Sequence, residues 1–133
     1  MGCSIDPNAL LVSTSGRYEY RNKGIDVFIE AMNRVRTSGR LQREVVAFIM
    51  VPAWVRAARA DLKEAIEQDI KTTSPLQIPF ITHWLHNMPE DKVLNYINHA
   101  GFTNAASEKL KSYSFLVIWT VKEVFSIRPI MIC

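Results

Sequence analysis

Arg17, Arg21 and Lys23 fall within seven residues, inside the run Ser13-Thr14-Ser15-Gly16-Arg17-Tyr18-Glu19-Tyr20-Arg21-Asn22-Lys23-Gly24. An arginine offers a planar fork of donors that matches phosphate oxygens, and a lysine adds a compact point charge. The run sits between an apolar stretch, Leu10-Leu11-Val12, and a helical repeat that begins at Ile25. Ligands of open α/β sheets collect off the carboxyl ends of strands. A helix start adds unpaired N–H groups and the positive end of the helix dipole. The chemistry suggested is binding of a phosphate or diphosphate. The run is neither a Walker loop nor a dinucleotide fingerprint, because Gly16 and Gly24 have the spacing of neither. Three cations in a loop also compose an ordinary solvated surface, and charge alone leaves that alternative open.

The elements that must position this loop follow from hydrophobic periodicity. Leu10-Leu11-Val12 reads as a strand that gives way to a polar loop at Ser13. Ile25, Phe28, Ala31, Met32 and Val35 recur at three- and four-residue spacing, which predicts a helix stopping near Thr37-Ser38-Gly39. Val45 to Val51 is continuously apolar and rich in β-branched residues, the pattern of a strand covered on both faces, and Pro52 closes it. Strand, helix and strand form a βαβ unit with a right-handed crossover. The spacing of Val55, Ala58, Leu62, Ala65 and Ile66 predicts a second helix, with Arg56, Arg59 and Lys63 on its wet face. Thr72 to Pro79 reads as a turn-rich connection. Pro89, Glu90 and Asp91 predict a third helix start, Val93, Leu94 and Ile97 its apolar stripe, and Gly101 its C-terminal cap. Alternation of buried strands with helices predicts a doubly wound α/β sheet.

Composition narrows the function. The 133 residues are 48% hydrophobic and 22% charged, which fits one globular domain rather than a disordered or fibrous chain. Sixteen Lys and Arg against thirteen Asp and Glu give +3, and these cations alternate with acids, so a nucleic-acid module ranks last. Cys3 and Cys133 make neither a disulfide framework nor a metal quartet, and a reducing cytoplasm is the expected setting. No apolar run reaches the roughly 18 residues of a membrane span, and no signal-peptide pattern opens the chain. His83, His86 and His99 have no Cys or carboxylate at ligand spacing, so they read as surface or loop histidines with no metal. Tyr18 and Tyr20 read as rings packed on the domain, with stacking on a base as the alternative. Glu19 reads as the partner of a neighbouring arginine, and Trp54 and Trp84 as core or loop packing.

Ser15 to Ala31 (Ser-Gly-Arg-Tyr-Glu-Tyr-Arg-Asn-Lys-Gly-Ile-Asp-Val-Phe-Ile-Glu-Ala) resembles the opening of the C-terminal nucleotide-binding domain of glycogen synthases. The likeness is to the fungal/animal type, glycosyltransferase family 3, and its bacterial relatives. Arg43 to Ala53 and Ile81 to Met88 agree with the same family, so the resemblance runs over most of Leu10 to Lys111. It implies a partial Rossmann-like sheet, as in the C-terminal lobe of a GT-B glycosyltransferase. It also implies that Arg17 and Lys23 hold the diphosphate of a nucleotide sugar, UDP-glucose or ADP-glucose, with no further cofactor. The implied reaction is retaining transfer of glucose to an α-1,4-glucan.

The chain departs from the family in two respects. The acceptor lobe and the later acidic block have no counterpart in these residues, so no catalytic residue is assigned. Residues 1–9 read as a lead-in, 10–111 as a partial nucleotide-sugar-binding domain, and 112–133 as an apolar tail foreign to the family. Regrouping the third base of each codon with the first two of the next lets the tail read Val-Ile-Phe-Val-Pro-Cys-Tyr-Leu-Asp-Gly-Lys-Gly-Gly, which resembles the family's next strand and loop. A frameshift near Lys111 is the expectation. The isolated chain is expected to be inactive in glucosyl transfer, and the alternative is a stand-alone, non-catalytic nucleotide- or phosphate-binding module. Oligomeric state is left open.

Overall fold

Val45–Val51, here β2, is the strand around which the domain is built. In the computed structural model, which describes residues 6–68, 77–105 and 107–116, β2 pairs in parallel with β1 (Leu10–Ser15) on one side and with β5 (Leu110–Leu116) on the other. Leu10 sits opposite Val45 in the first ladder and Leu110 opposite Val45 in the second. Every β2 residue except Met50 is buried, as its unbroken hydrophobicity predicts. A parallel ladder needs a crossover on one face, and α1 (Ile25–Thr37) supplies it between β1 and β2. Its buried Ile25 and Ile29 meet Val45, Ile49 and Val51 in one cluster, joined by Val93, Leu94 and Ile97 of α3 (Lys92–His99). Burying each such side chain contributes roughly 1.5–3 kcal/mol.

Three expectations are corrected. β1 continues three residues further than its apolar run, because Ser13, Thr14 and Ser15 pair with Phe48, Ile49 and Met50. Backbone hydrogen bonds hold these polar residues in the ladder whatever their side chains. The second helix does not begin at Val55: Val55–Ala58 is a strand, β3, antiparallel to β4 (His83–Leu85), and the helix α2 spans only Ala60–Glu67. Val55 and Ala58 have helical spacing by coincidence, and a partner nearly thirty residues away decides their state. Pro89 lies in a short 3-10 turn, Met88–Glu90, and α3 starts after it, with Asp91 as its N-cap.

The end of α3 is as expected. Gly101 takes φ 78°, the Gly101 N–H donates to the Asn98 carbonyl at 3.1 Å, and the Phe102 N–H donates to the Ile97 carbonyl at 3.4 Å. This is a Schellman closure, with the buried Phe102 and Ile97 completing its hydrophobic contact. Of the expected connection Thr72 to Pro79, residues 72–76 lie outside the described residues, as do 1–5 of the lead-in and 117–133 of the tail. β5 runs across the expected boundary between 111 and 112, so residues 112–116 belong to the parallel ladder. The architecture is thus mixed α/β, with a small parallel sheet and a two-stranded antiparallel one.

Candidate functional site

The loop from Gly16 to Gly24 leaves the carboxyl end of β1 and feeds α1. The Gly16 N–H donates to the Met50 carbonyl at 3.3 Å, which ties the loop's start to the neighbouring strand. Within the loop, Glu19 N–H donates to the Arg17 carbonyl, Lys23 N–H to Glu19, and Gly24 N–H to Arg21, at 2.8 to 3.0 Å. Gly24 is the N-cap of α1 with φ 66°, a left-handed conformation that glycine adopts without steric cost.

The tyrosines point inward and the cations outward. Tyr18 packs against the core, and its hydroxyl donates to Asp91 Oδ2 at 2.5 Å. Burial, then the Asp91 carboxylate, hold the Tyr18 phenol far above its ordinary range. The Tyr20 ring meets Tyr96 edge-to-face, with centroids 6.5 Å apart. Tyr96 in turn donates to Glu30 Oε2 at 2.6 Å, and this hydrogen bond leads the causes that raise its pKa to about 12. Both loop tyrosines therefore pack on the domain. Arg17, Arg21 and Lys23 are exposed. Arg17 has Glu19 at 4.0 Å, the pairing expected for that acid, while Arg21 and Lys23 form no ion pair among the described residues.

The helix start contributes less than the sequence implies. The Asp26 N–H donates to the Tyr20 carbonyl at 3.3 Å, and the Val27 N–H to the Asp26 side chain at 2.9 Å. The chain's own acceptors occupy these two amides, so neither is available to an anion. A shallow groove does open on α1, lined by Asp26, Val27, Glu30, Ala31, Arg34 and Tyr96. Its two carboxylates against one cation make it unsuited to phosphate.

Downstream of β2, the exposed Trp54 stacks on His86, with ring centroids 5.0 Å apart, and its carbonyl accepts the His86 N–H at 3.0 Å. His83 lies in β4, its Nδ1 2.8 Å from Thr82 Oγ1, and His99 sits in the last turn of α3. Among the described residues no three His, Cys, Asp or Glu side chains gather into a metal site, and no helix is long and apolar enough to cross a membrane. One residue read from sequence as solvated is the reverse. Arg59 is buried, and its guanidinium reaches Asp61 and the carbonyls of Gln77, Ile78 and Ile81, and lies 4.7 Å over the Trp84 ring. Asp61 is close in sequence, but nothing in local spacing signals the burial, since the carbonyls that complete the site come from the segment leading into β4.

The sequence profile of the glycogen synthase family matches residues 4–74, more than half of the chain. The glycogen [starch] synthase of Neurospora crassa is 50% identical over 50 residues, which cover 35% of this chain and 7% of that protein. Isoform 2 from Saccharomyces cerevisiae shows the same identity and coverage. The Dictyostelium discoideum enzyme is 43% identical over 49 residues, 35% of this chain and 6% of its own length. The matched stretch is therefore a small part of each relative. On the profile match over residues 4–74, the chain belongs to the glycogen synthase family.

Proposed function

We propose that this chain is part of the donor-binding lobe of a glycogen synthase, and that Arg17 and Lys23 grip the diphosphate of UDP-glucose or ADP-glucose. The intact enzyme transfers glucose to an α-1,4-glucan with retention, in the cytoplasm. One observation carries the reading: a loop at the carboxyl end of a parallel sheet turns its tyrosines into the domain and leaves its cations exposed. As the bond from glucose to diphosphate breaks, negative charge grows on the leaving group. Cations already in place stabilise that charge more than the ground state, which is the condition for accelerating the step. The 133 residues alone bind donor without turning it over, because the resemblance puts the acceptor lobe and the acidic block elsewhere in the enzyme.

Calorimetric titration of the chain with UDP-glucose, ADP-glucose and inorganic pyrophosphate tests this. Arg17→Ala or Lys23→Ala weakens binding by about tenfold or more, the value of one charged hydrogen bond. Unchanged affinity in both variants refutes the assignment. Binding that survives without transfer even when the remaining family segments are supplied favours a non-catalytic nucleotide module. We further propose that residues 112–133 are read out of frame. The coding DNA beyond the Lys111 codon decides this, and the absence of a family-like reading in the shifted frame refutes it.

A further inference from the structure

We infer that Tyr18 and Asp91 are positioning residues that couple the cationic loop to the start of α3. Asp91 is 3% exposed, and its two carboxylate oxygens serve two different elements. Oδ1 accepts the Leu94 N–H at 2.8 Å and caps α3, while Oδ2 accepts the Tyr18 hydroxyl at 2.5 Å. Tyr18 directly follows Arg17, whose side chain is 84% exposed and whose ion-pair partner among the described residues is Glu19, at 4.0 Å. The backbone bonds that tie the loop to its neighbours among the described residues run from Gly16 to Met50 and, at the start of α1, from Asp26 to Tyr20 and from Phe28 to Gly24. The Tyr18 ring and hydroxyl thus fix the loop's tilt against the domain, with the Tyr20 ring as the second support. Because one buried carboxylate serves both the hydroxyl and the helix cap, the loop cannot swing away without disturbing the first turn of α3. An anion held on Arg17 and Lys23 therefore steadies the Leu94 amide, on a helix more than sixty residues away in sequence.

The anion arm of this inference rests on the diphosphate reading; the coupling does not. Hydrogen exchange on the full chain tests the coupling without ligand. In the wild-type chain the amides of Lys23, Gly24 and Leu94 share one opening under graded denaturant, below global unfolding. Tyr18→Phe, which keeps the ring, speeds exchange at all three by about tenfold, the equivalent of one hydrogen bond to a charged group. Tyr20→Phe, whose hydroxyl takes no part in the bond, leaves Leu94 as in wild type. Inorganic pyrophosphate protects Leu94 in the wild-type chain and not in Tyr18→Phe. Independent openings of loop and cap in the wild type, or an unaltered Leu94 in Tyr18→Phe, overturns the coupling. If the wild-type chain does not bind pyrophosphate, the diphosphate reading falls, and the ligand-free exchange still judges the coupling.

Discussion

Two arginines in this domain do opposite things. Arg59, between β3 and α2, has a side chain 1% exposed, and Asp61, three backbone carbonyls and the face of Trp84 engage its guanidinium. Arg17, at the exit of β1, has a side chain 84% exposed and one long contact to Glu19. A buried guanidinium is tolerable only when its donors are matched, and once matched it is a strut. An exposed one, held in a loop whose neighbours are anchored, keeps its donors available for something outside the chain. Partners, rather than residue type or local charge, separate the two roles.

Removing the strut has the largest expected effect. Arg59→Ala leaves Asp61 and the carbonyls of Gln77, Ile78 and Ile81 without their common donor, and costs about 2–3 kcal/mol of stability, the range for buried acceptors left unpaired. Ile78 makes the loss worse, because this β-branched residue sits at φ 53° and Arg59 holds its carbonyl. Arg59→Lys recovers little, since a compact ammonium cannot reproduce the fork that serves several acceptors at once. Denaturant unfolding measures both, and a loss below about 1 kcal/mol in Arg59→Ala shows that Arg59 is not a strut.

These two sites were unequally legible in the sequence. The hand-over from β1 to α1 is local: an apolar run, a glycine-bounded cationic loop and a helical stripe within about thirty residues, and the structure keeps that order. β2 could be read because a strand buried on both faces needs no partner to announce it. Arg59 could not. Its burial depends on carbonyls eighteen to twenty-two residues further on, and β3 exists only through its ladder with His83–Leu85. The link from Tyr18 to Asp91, seventy-three positions apart, was equally invisible, although the inward packing of the tyrosine rings was expected from their amphipathic character. Local patterns survive in sequence; a polar contact across the fold leaves no trace in spacing.

The next test strains the loop where it joins α1. Gly24→Ala places a Cβ on a left-handed residue with nothing within 4 Å of it, so no clash contributes and the cost is conformational. A loss of about 1–2 kcal/mol is expected on that ground. The variant separates loop geometry from loop charge, since it leaves every cation in place. Retained stability shows that the backbone near Gly24 relaxes, and that tyrosine anchoring alone fixes the loop.

A smaller effect is expected from pH at the Arg59–Asp61 pair. The hydrogen bonds from Arg59 hold the Asp61 carboxyl below its ordinary pKa. A depressed folded value means that Asp61 stabilises the fold above the unfolded carboxylate value of about 3.9, and that this support fades as pH falls through the lower folded value. Wild type and Asp61→Asn therefore differ at neutral pH and converge in acid. A gap that is independent of pH assigns the pair's role to geometry alone.

The smallest expected effect is the most diagnostic. Arg17→Ala removes a side chain that buries almost nothing and whose ion pair with Glu19, at 4.0 Å in solvent, is worth about 0–1 kcal/mol. Its thermal midpoint should match that of the wild-type chain within a few degrees, since about 0.5 kcal/mol corresponds to that shift in a domain of this size. Tyr18, which anchors the loop from the adjacent position, is untouched, so the loop keeps its place while losing its foremost cation. A stable variant with weakened pyrophosphate binding puts Arg17 on the functional side of the comparison. A variant that unfolds as Arg59→Ala does places both arginines in the same structural role.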